Sequence, residues 1–185
     1  MLEEFLEFNR LIGRLKKTER TGWITRIGIE NPESVADHTF RVTILSMVIG
    51  DKKKLDTEKM IRMALLHDLQ ETIMGDWDLY AKNKLGHENF LKKEKESIKK
   101  VLVTLPKELE KKYFEIWEEF HDQKSEEAKI VKNIDKIEFV LQALEYEKEG
   151  HDKEKFDKLW KHMKKNYEKI GLKNIFEILE KERIK

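Results

Sequence analysis

The stretch Met60-Ile61-Arg62-Met63-Ala64-Leu65-Leu66-His67-Asp68-Leu69-Gln70-Glu71 decides the fold class. Its apolar residues recur at helical spacing, with none of the strict alternation of a half-buried strand. Each residue turns a helix by roughly 100°. With Ala64 set at zero, Met60, Ile61, His67, Asp68 and Glu71 all fall within roughly 60° of it. One His and two carboxylates thus share a face with apolar neighbours. A buried charge costs several kcal/mol unless it is paired or bound to metal. Three ionisable groups on one such face require a common partner.

The same helical period extends in both directions. Asp56 or Thr57 caps this helix, which is predicted to run to Met74 and stop at Gly75. Upstream, Leu2–Leu15 is predicted as an amphipathic helix with Leu2, Phe5, Leu6, Ile12 and Leu15 on one side. Residues 16–31 read as a loop. Asn31 as N-cap, Pro32 in the first turn and Glu33 at the positive dipole end predict a helix to about Ile49. Downstream, residues 76–86 read as a loop. Helices are predicted over His87–Thr104, Pro106–Asp122, Ser125–Glu149, Lys153–Asn166 and Leu172–Arg183. The expectation is an all-α, compact multi-helix domain spanning residues 1–185.

Composition narrows the chemistry. The chain has 185 residues, the length of one domain or at most two small ones. It has no Cys, which excludes a disulfide framework, a thiolate metal site and a Cys nucleophile. Any metal must be held by nitrogen and oxygen. Lys+Arg number 38 against 37 Asp+Glu, so there is no net field to favour nucleic acid or an anionic membrane. No apolar run reaches the ~18 residues of a membrane span. The acidic start, Met1-Leu2-Glu3-Glu4-Phe5, lacks the layout of a signal peptide. A soluble cytoplasmic protein is expected.

Two further helices repeat the anomaly of the first. His38 lines up with Val35, Val42, Leu45 and Ile49. On Ser125–Glu149, Asp135 sits at the edge of the stripe Ile130, Ile134, Ile137 and Leu141, with Glu138 and Glu145 inside it. A lone His on an apolar stripe is usually a hydrogen-bonded core residue, and Asp135 beside Lys132 and Lys136 reads alone as a solvated charge. Their joint occurrence favours one metal ion ligated by His38, His67, Asp68 and Asp135. Imidazole and carboxylate suit Mn, Fe, Co, Ni or Zn. An octahedral ion would keep two positions open for a phosphate oxygen and a water. Glu71, one turn from His67, can face the same cavity as base or water-orienting group. His87, His121, His151 and His162 sit in polar surroundings and are expected at the surface.

These residues resemble the HD-domain metal-dependent phosphohydrolases, whose ligand pattern is His…His-Asp…Asp. The stretches Arg20-Thr21-Gly22-Trp23, Pro32-Glu33-Ser34-Val35-Ala36-Asp37-His38, Ala64 to Glu71, Gly75-Asp76 and Asp135-Lys136-Ile137-Glu138, with Gln142-Ala143 and Glu145-Tyr146, are similar to the 5′-deoxynucleotidase (oxetanocin-resistance-like) branch. The likeness covers about Leu11 to Glu149, with residues 151–185 as C-terminal helices packing on that core. It implies an all-helical homodimer that hydrolyses deoxyribonucleoside 5′-monophosphates with one divalent ion per site (Co, Mn, Mg, Ni, Fe or Zn). By position, His38, His67, Asp68 and Asp135 resemble the metal ligands, and Glu71 and Asp76 the catalytic carboxylates. Arg20 resembles the residue near the phosphate. Trp23 is the counterpart of an aromatic that crowds the sugar 2′ position, though it reads equally as a core residue under the loop. Asp76 either protonates the leaving oxygen or binds the sugar. Two segments depart from the pattern: the family often follows Gly-Asp with residues ending in Thr-Pro, whereas Trp77-Asp78-Leu79-Tyr80 stands here, and Thr21-Gly22 separates Arg20 from Trp23 where the bacterial enzyme has adjacent Arg-Trp. Hydrolysis of a cyclic nucleotide or a guanosine alarmone is the alternative within the superfamily. A non-catalytic, metal-stabilised helical adaptor is the alternative outside it.

Overall fold

The computed structural model describes residues 2–169 and 173–183. Leu172, the expected start of the last helix, lies outside the described residues, as does the side chain of Leu2. The described chain is built of helices: α1 Leu2–Arg14, α2 Thr21–Arg26, α3 Val35–Lys53, α4 Thr57–Leu66, α5 Glu71–Met74 and α6 Leu79–Leu85. There follow α7 His87–Leu102, α8 Lys107–Asp122, α9 Glu126–Lys148, α10 Lys153–Lys169 and α11 Lys173–Arg183. A single antiparallel bridge, Glu19 to Ser34, is the only β-type pairing among the described residues. No described helix is long and apolar enough to cross a membrane.

Several boundaries differ from the sequence expectation, and α3, expected to end at about Ile49, runs on to Lys53. The cap of α3 is Ser34, not Asn31. Asp37 N–H donates to Ser34 Oγ at 3.2 Å, and Asp37 Oδ2 accepts from Ser34 N at 2.9 Å, a reciprocal capping box. Residues 31–33 stay outside the helix because Glu33's backbone is engaged elsewhere: its N donates to the Tyr146 hydroxyl at 2.6 Å and its O accepts from Arg20 N at 3.0 Å. The helix expected over residues 57–74 breaks after Leu66. Leu69, Glu71 and Thr72 then bond three residues back, tightening the chain between α4 and α5. Both expected loops contain a short helix, α2 and α6. Asp78 caps α6 by accepting from Ala81 N at 2.8 Å, and Gly86 ends it at φ +85°.

Three apolar clusters hold these elements. Val42, Met60, Met63, Ala64, Val131 and Ile134 join α3, α4 and α9. Leu11, Val35, Leu69, Ile98 and Trp117 join α1, α3, α7 and α8 to the chain after α4. Trp23, Val140, Tyr146, Phe156, Trp160 and Phe176 bind α2 and α9 to α10 and α11. The first cluster matters most for the site. It fixes α3, α4 and α9 against one another, and each carries one candidate ligand, or ends at it.

Candidate metal and catalytic site

His38 projects from α3, His67 and Asp68 from the turn that closes α4, and Asp135 from α9. His67 Nε2 lies 3.3 Å from His38 Nε2 and 3.1 Å from Asp68 Oδ2. His38 Nε2 is 3.3 Å from Asp135 Oδ1 and 3.7 Å from Asp68 Oδ2. One ligand atom each of His38, His67 and Asp135 falls within 4.8 Å of the others. The far nitrogen of each imidazole is held: His38 Nδ1 is 2.5 Å from Glu138 Oε2, and His67 Nδ1 is 2.7 Å from Ala64 O. Both Nε2 atoms therefore face the cluster, the orientation a metal ligand needs. Lys132, one turn before Asp135, donates to its Oδ2 at 2.9 Å and leaves Oδ1 toward His38.

Electrostatics tests whether a cation belongs there. Burial and the Arg20 charge would each lower the His38 pKa, yet Asp135 and Glu138 outweigh them and hold it up to about 9. Against burial, His67 and Arg20 keep Asp68 well below the usual carboxylate range, and Lys132 does the same for Asp135. The donor set is acidic enough to charge its own histidine. Such a site calls for positive charge, and two imidazoles with two carboxylates fit a divalent metal ion.

Around the cluster stand the other candidates. Arg20 Nη1 lies 3.4 Å from Asp68 Oδ2. Glu71 is 5% exposed, and its Oε2 is shielded from solvent with no hydrogen-bond partner among the described residues. Burial first, then the charges of Asp68 and Asp76, push its pKa well above the ordinary carboxylate value. Asp76 Oδ2 accepts from Thr21 N at 2.6 Å, tying the turn after α5 to the start of α2. Trp23 is 1% exposed and donates Nε1–H to Glu33 Oε1 at 3.0 Å. It belongs to the core beneath a cleft of about 150 Å³ that it lines together with Arg20, Asp76, Trp77, Lys82 and Phe139. Arg20 thus borders both the cluster and the cleft, and Asp76 lines the cleft beside it.

The HD domain family matches residues 12–176 of this sequence. The chain belongs to the HD-domain family. It is 44% identical over 142 residues to the 5′-deoxynucleotidase HDDC2 of Mus musculus, covering 77% of this chain and 69% of that protein. It is 40% identical over 165 residues to the 5′-deoxynucleotidase HDDC2 of Dictyostelium discoideum, covering 85% of each. A conserved hypothetical protein from Pyrococcus furiosus has a similar structure, with a TM-score of 0.73, 32% identity and coverage of 95% of this chain and 99% of that one.

Other parts of this HD site were not visible in the sequence. Lys132 reads there as a neighbour that merely solvates Asp135; the i, i+3 spacing was the available signal. Glu33 is a ligand-capable group beside His38 and Glu138, yet it already holds Trp23. Burial and the nearby Glu138 raise its pKa to about 7. His121 is not at the surface as expected. Its ring packs 3.8 Å from that of Trp117, its Nε2 is shielded, and burial lowers its pKa to about 4. His151 is half-buried against Tyr146, while His87 and His162 are less enclosed.

Proposed function

We propose that this HD-domain chain is a metal-dependent 5′-deoxynucleotidase, converting deoxyribonucleoside 5′-monophosphates to deoxynucleoside and phosphate. The observation that carries this reading is the convergence of His38, His67, Asp68 and Asp135 beside an arginine, a protonatable buried carboxyl and an open cleft. The two relatives named 5′-deoxynucleotidase support the substrate class. His38, His67, Asp68 and Asp135 would hold the ion, one per site, drawn from Co, Mn, Mg, Ni, Fe or Zn. When bound, it supplies a Lewis acid for the phosphate and lowers the pKa of water.

The remaining steps fall to side chains. Arg20 forks onto the phosphate and offsets charge on its oxygens as the transition state forms. Glu71, whose proton affinity burial raises, takes the proton of the attacking water. Water oxygen bonds to phosphorus, the bond from phosphorus to the 5′-oxygen breaks, and a proton returns to that oxygen. Asp76, with Oδ2 fixed by Thr21, offers its other oxygen to the leaving 5′-oxygen or the sugar. Trp23, under the cleft, sets the wall that the 2′ position meets. An adaptor with a purely structural metal would need neither the orphaned Glu71 oxygen nor the cleft.

Residues 1–185 form one HD domain in this reading, completed by α10 and α11. The protein acts in the cytoplasm on a small nucleotide, without nucleic acid or membrane, and as a homodimer. An exposed stripe supports the dimer: Phe40, Ile44, Met47 and Val48 follow helical spacing along α3 and continue to Leu65 on α4.

The test is phosphate release from deoxyribonucleoside and ribonucleoside 5′-monophosphates with each metal. Activity with Mn or Co should be lost in His67→Ala and Asp68→Ala while the helical circular dichroism signal persists. Release only from cyclic nucleotides or alarmones would replace the substrate class. Folded protein without metal uptake would sink the reading.

A further inference from the structure

We propose that Trp77 and Phe139 make the cleft a nucleobase slot, in which the Trp77 indole stacks on the base of the substrate. This rests on the 5′-deoxynucleotidase reading and extends it to a part of the substrate that the reacting centre does not touch.

Trp77 lies in a segment where the chain departs from the family pattern, immediately after Asp76. Its indole is held on several sides. Nε1 donates to Met74 O at 2.9 Å, Lys93 Nζ sits 4.4 Å above the ring, and the Phe90 ring lies 5.9 Å away. Trp77 is one of the residues that line the cleft. Phe139 of α9 lines the same cleft and is itself fixed by stacking on Trp23, with ring centroids 4.3 Å apart. Two independently anchored aromatic side chains, from the turn before α6 and from α9, thus reach one cleft.

The direction of the substrate follows from Arg20, which lies 3.4 Å from Asp68 in the cluster and also lines the cleft together with Asp76. A phosphate held at the cluster beside Arg20 sends its ester arm past Asp76 into the cleft. The arm of a nucleotide ends in a planar ring, and the cleft presents aromatic surface to it. Stacking is tolerant of base identity, because every base has a π-face. The slot should therefore separate esters with a base from esters without one, and discriminate little among the bases. Its anchoring costs little entropy on binding, because the indole is already held.

The experiment compares deoxyribonucleoside 5′-monophosphates with 2-deoxyribose 5-phosphate, the same ester lacking the base. Wild-type protein should prefer the nucleotides in kcat/KM. In Trp77→Ala this preference ratio should fall about tenfold, the size of one base-on-aromatic contact, mainly through KM. Trp77→Phe should keep most of it. Phe139→Leu should lower the ratio in the same direction. If wild-type protein hydrolyses both esters equally well, the slot is wrong and the hydrolase reading stands. A Trp77→Ala variant whose two activities fall together, with the ratio unchanged, also overturns the slot. If neither ester releases phosphate, the hydrolase reading fails and the slot falls with it.

Discussion

At the scale of single residues, two buried glutamates do different work. Glu138 is fully buried and holds His38 Nδ1, with Arg41 Nε 3.6 Å from its other oxygen. Removing it frees the His38 ring to turn and leaves its Nδ1 without that partner. Glu138→Ala should weaken metal binding about 10–100-fold, read by calorimetric titration with Mn. Unchanged affinity would exclude the orienting role. Glu94 is buried on α7 with no part in the chemistry, and burial raises its pKa from 4.5 to about 7. The fold keeps a proton here that the unfolded chain loses near pH 4.5. Its contribution to stability is therefore full below that pH and is lost as pH rises through about 7. Glu94→Gln should flatten the fall of stability over this window, a difference on the order of 2–3 kcal/mol by about pH 8. Urea unfolding of both proteins at the two ends of the window measures it; identical pH slopes would refute it.

The helices place these residues, and their contacts set how much they tolerate. Gly50 sits on α3 where α4 approaches closely. A Cβ there would meet Thr57 Oγ1 at 2.8 Å, Met60 Sδ at 3.1 Å and Thr57 Cα at 3.2 Å. Ala exceeds Gly in helix propensity by roughly 0.5–1 kcal/mol, so an isolated helix would gain. In the fold the clash prevails, because the Thr57 backbone cannot move without shifting α4. Gly50→Ala should destabilise by about 1–2 kcal/mol, an overpacking cost, with Tm falling. A raised Tm by differential scanning calorimetry would show that propensity wins. Because α3 carries His38 and α4 leads to His67, the same shift should weaken metal binding. The elements also mark the limit of sequence reading. The long helices are legible from period and caps, whereas α2 and α6 are not: at six and seven residues they hold too few turns to show a period.

At the scale of the whole molecule, the exposed apolar face calls for cover. Phe40 is 69% exposed, Val48 55% and Leu65 51%. Water on such a face is costly, and a second copy of the chain would remove it. For the proposed homodimer, Phe40→Glu should convert dimer to monomer by sedimentation velocity, with the fold retained; a monomeric wild-type protein at micromolar concentration would refute that proposal. The helical class, the Cys-free nitrogen and oxygen ligand chemistry, and the candidate set His38, His67, Asp68 and Asp135 were determined by sequence alone. Polar groups on apolar helical faces stand out by local spacing, which needs no knowledge of neighbours. Tertiary structure alone decided how α3, α4 and α9 bring those groups within a few ångströms of one another. It also decided that Trp23 lies under the cleft, that Lys132 steers Asp135, and that Trp77 and Phe139 meet in one cleft. Trp23 and Phe139 stack although they stand on α2 and α9, at opposite ends of the chain's core. A period of a few residues reports which face a side chain shares, but carries no information about which distant helix will come to lie against it.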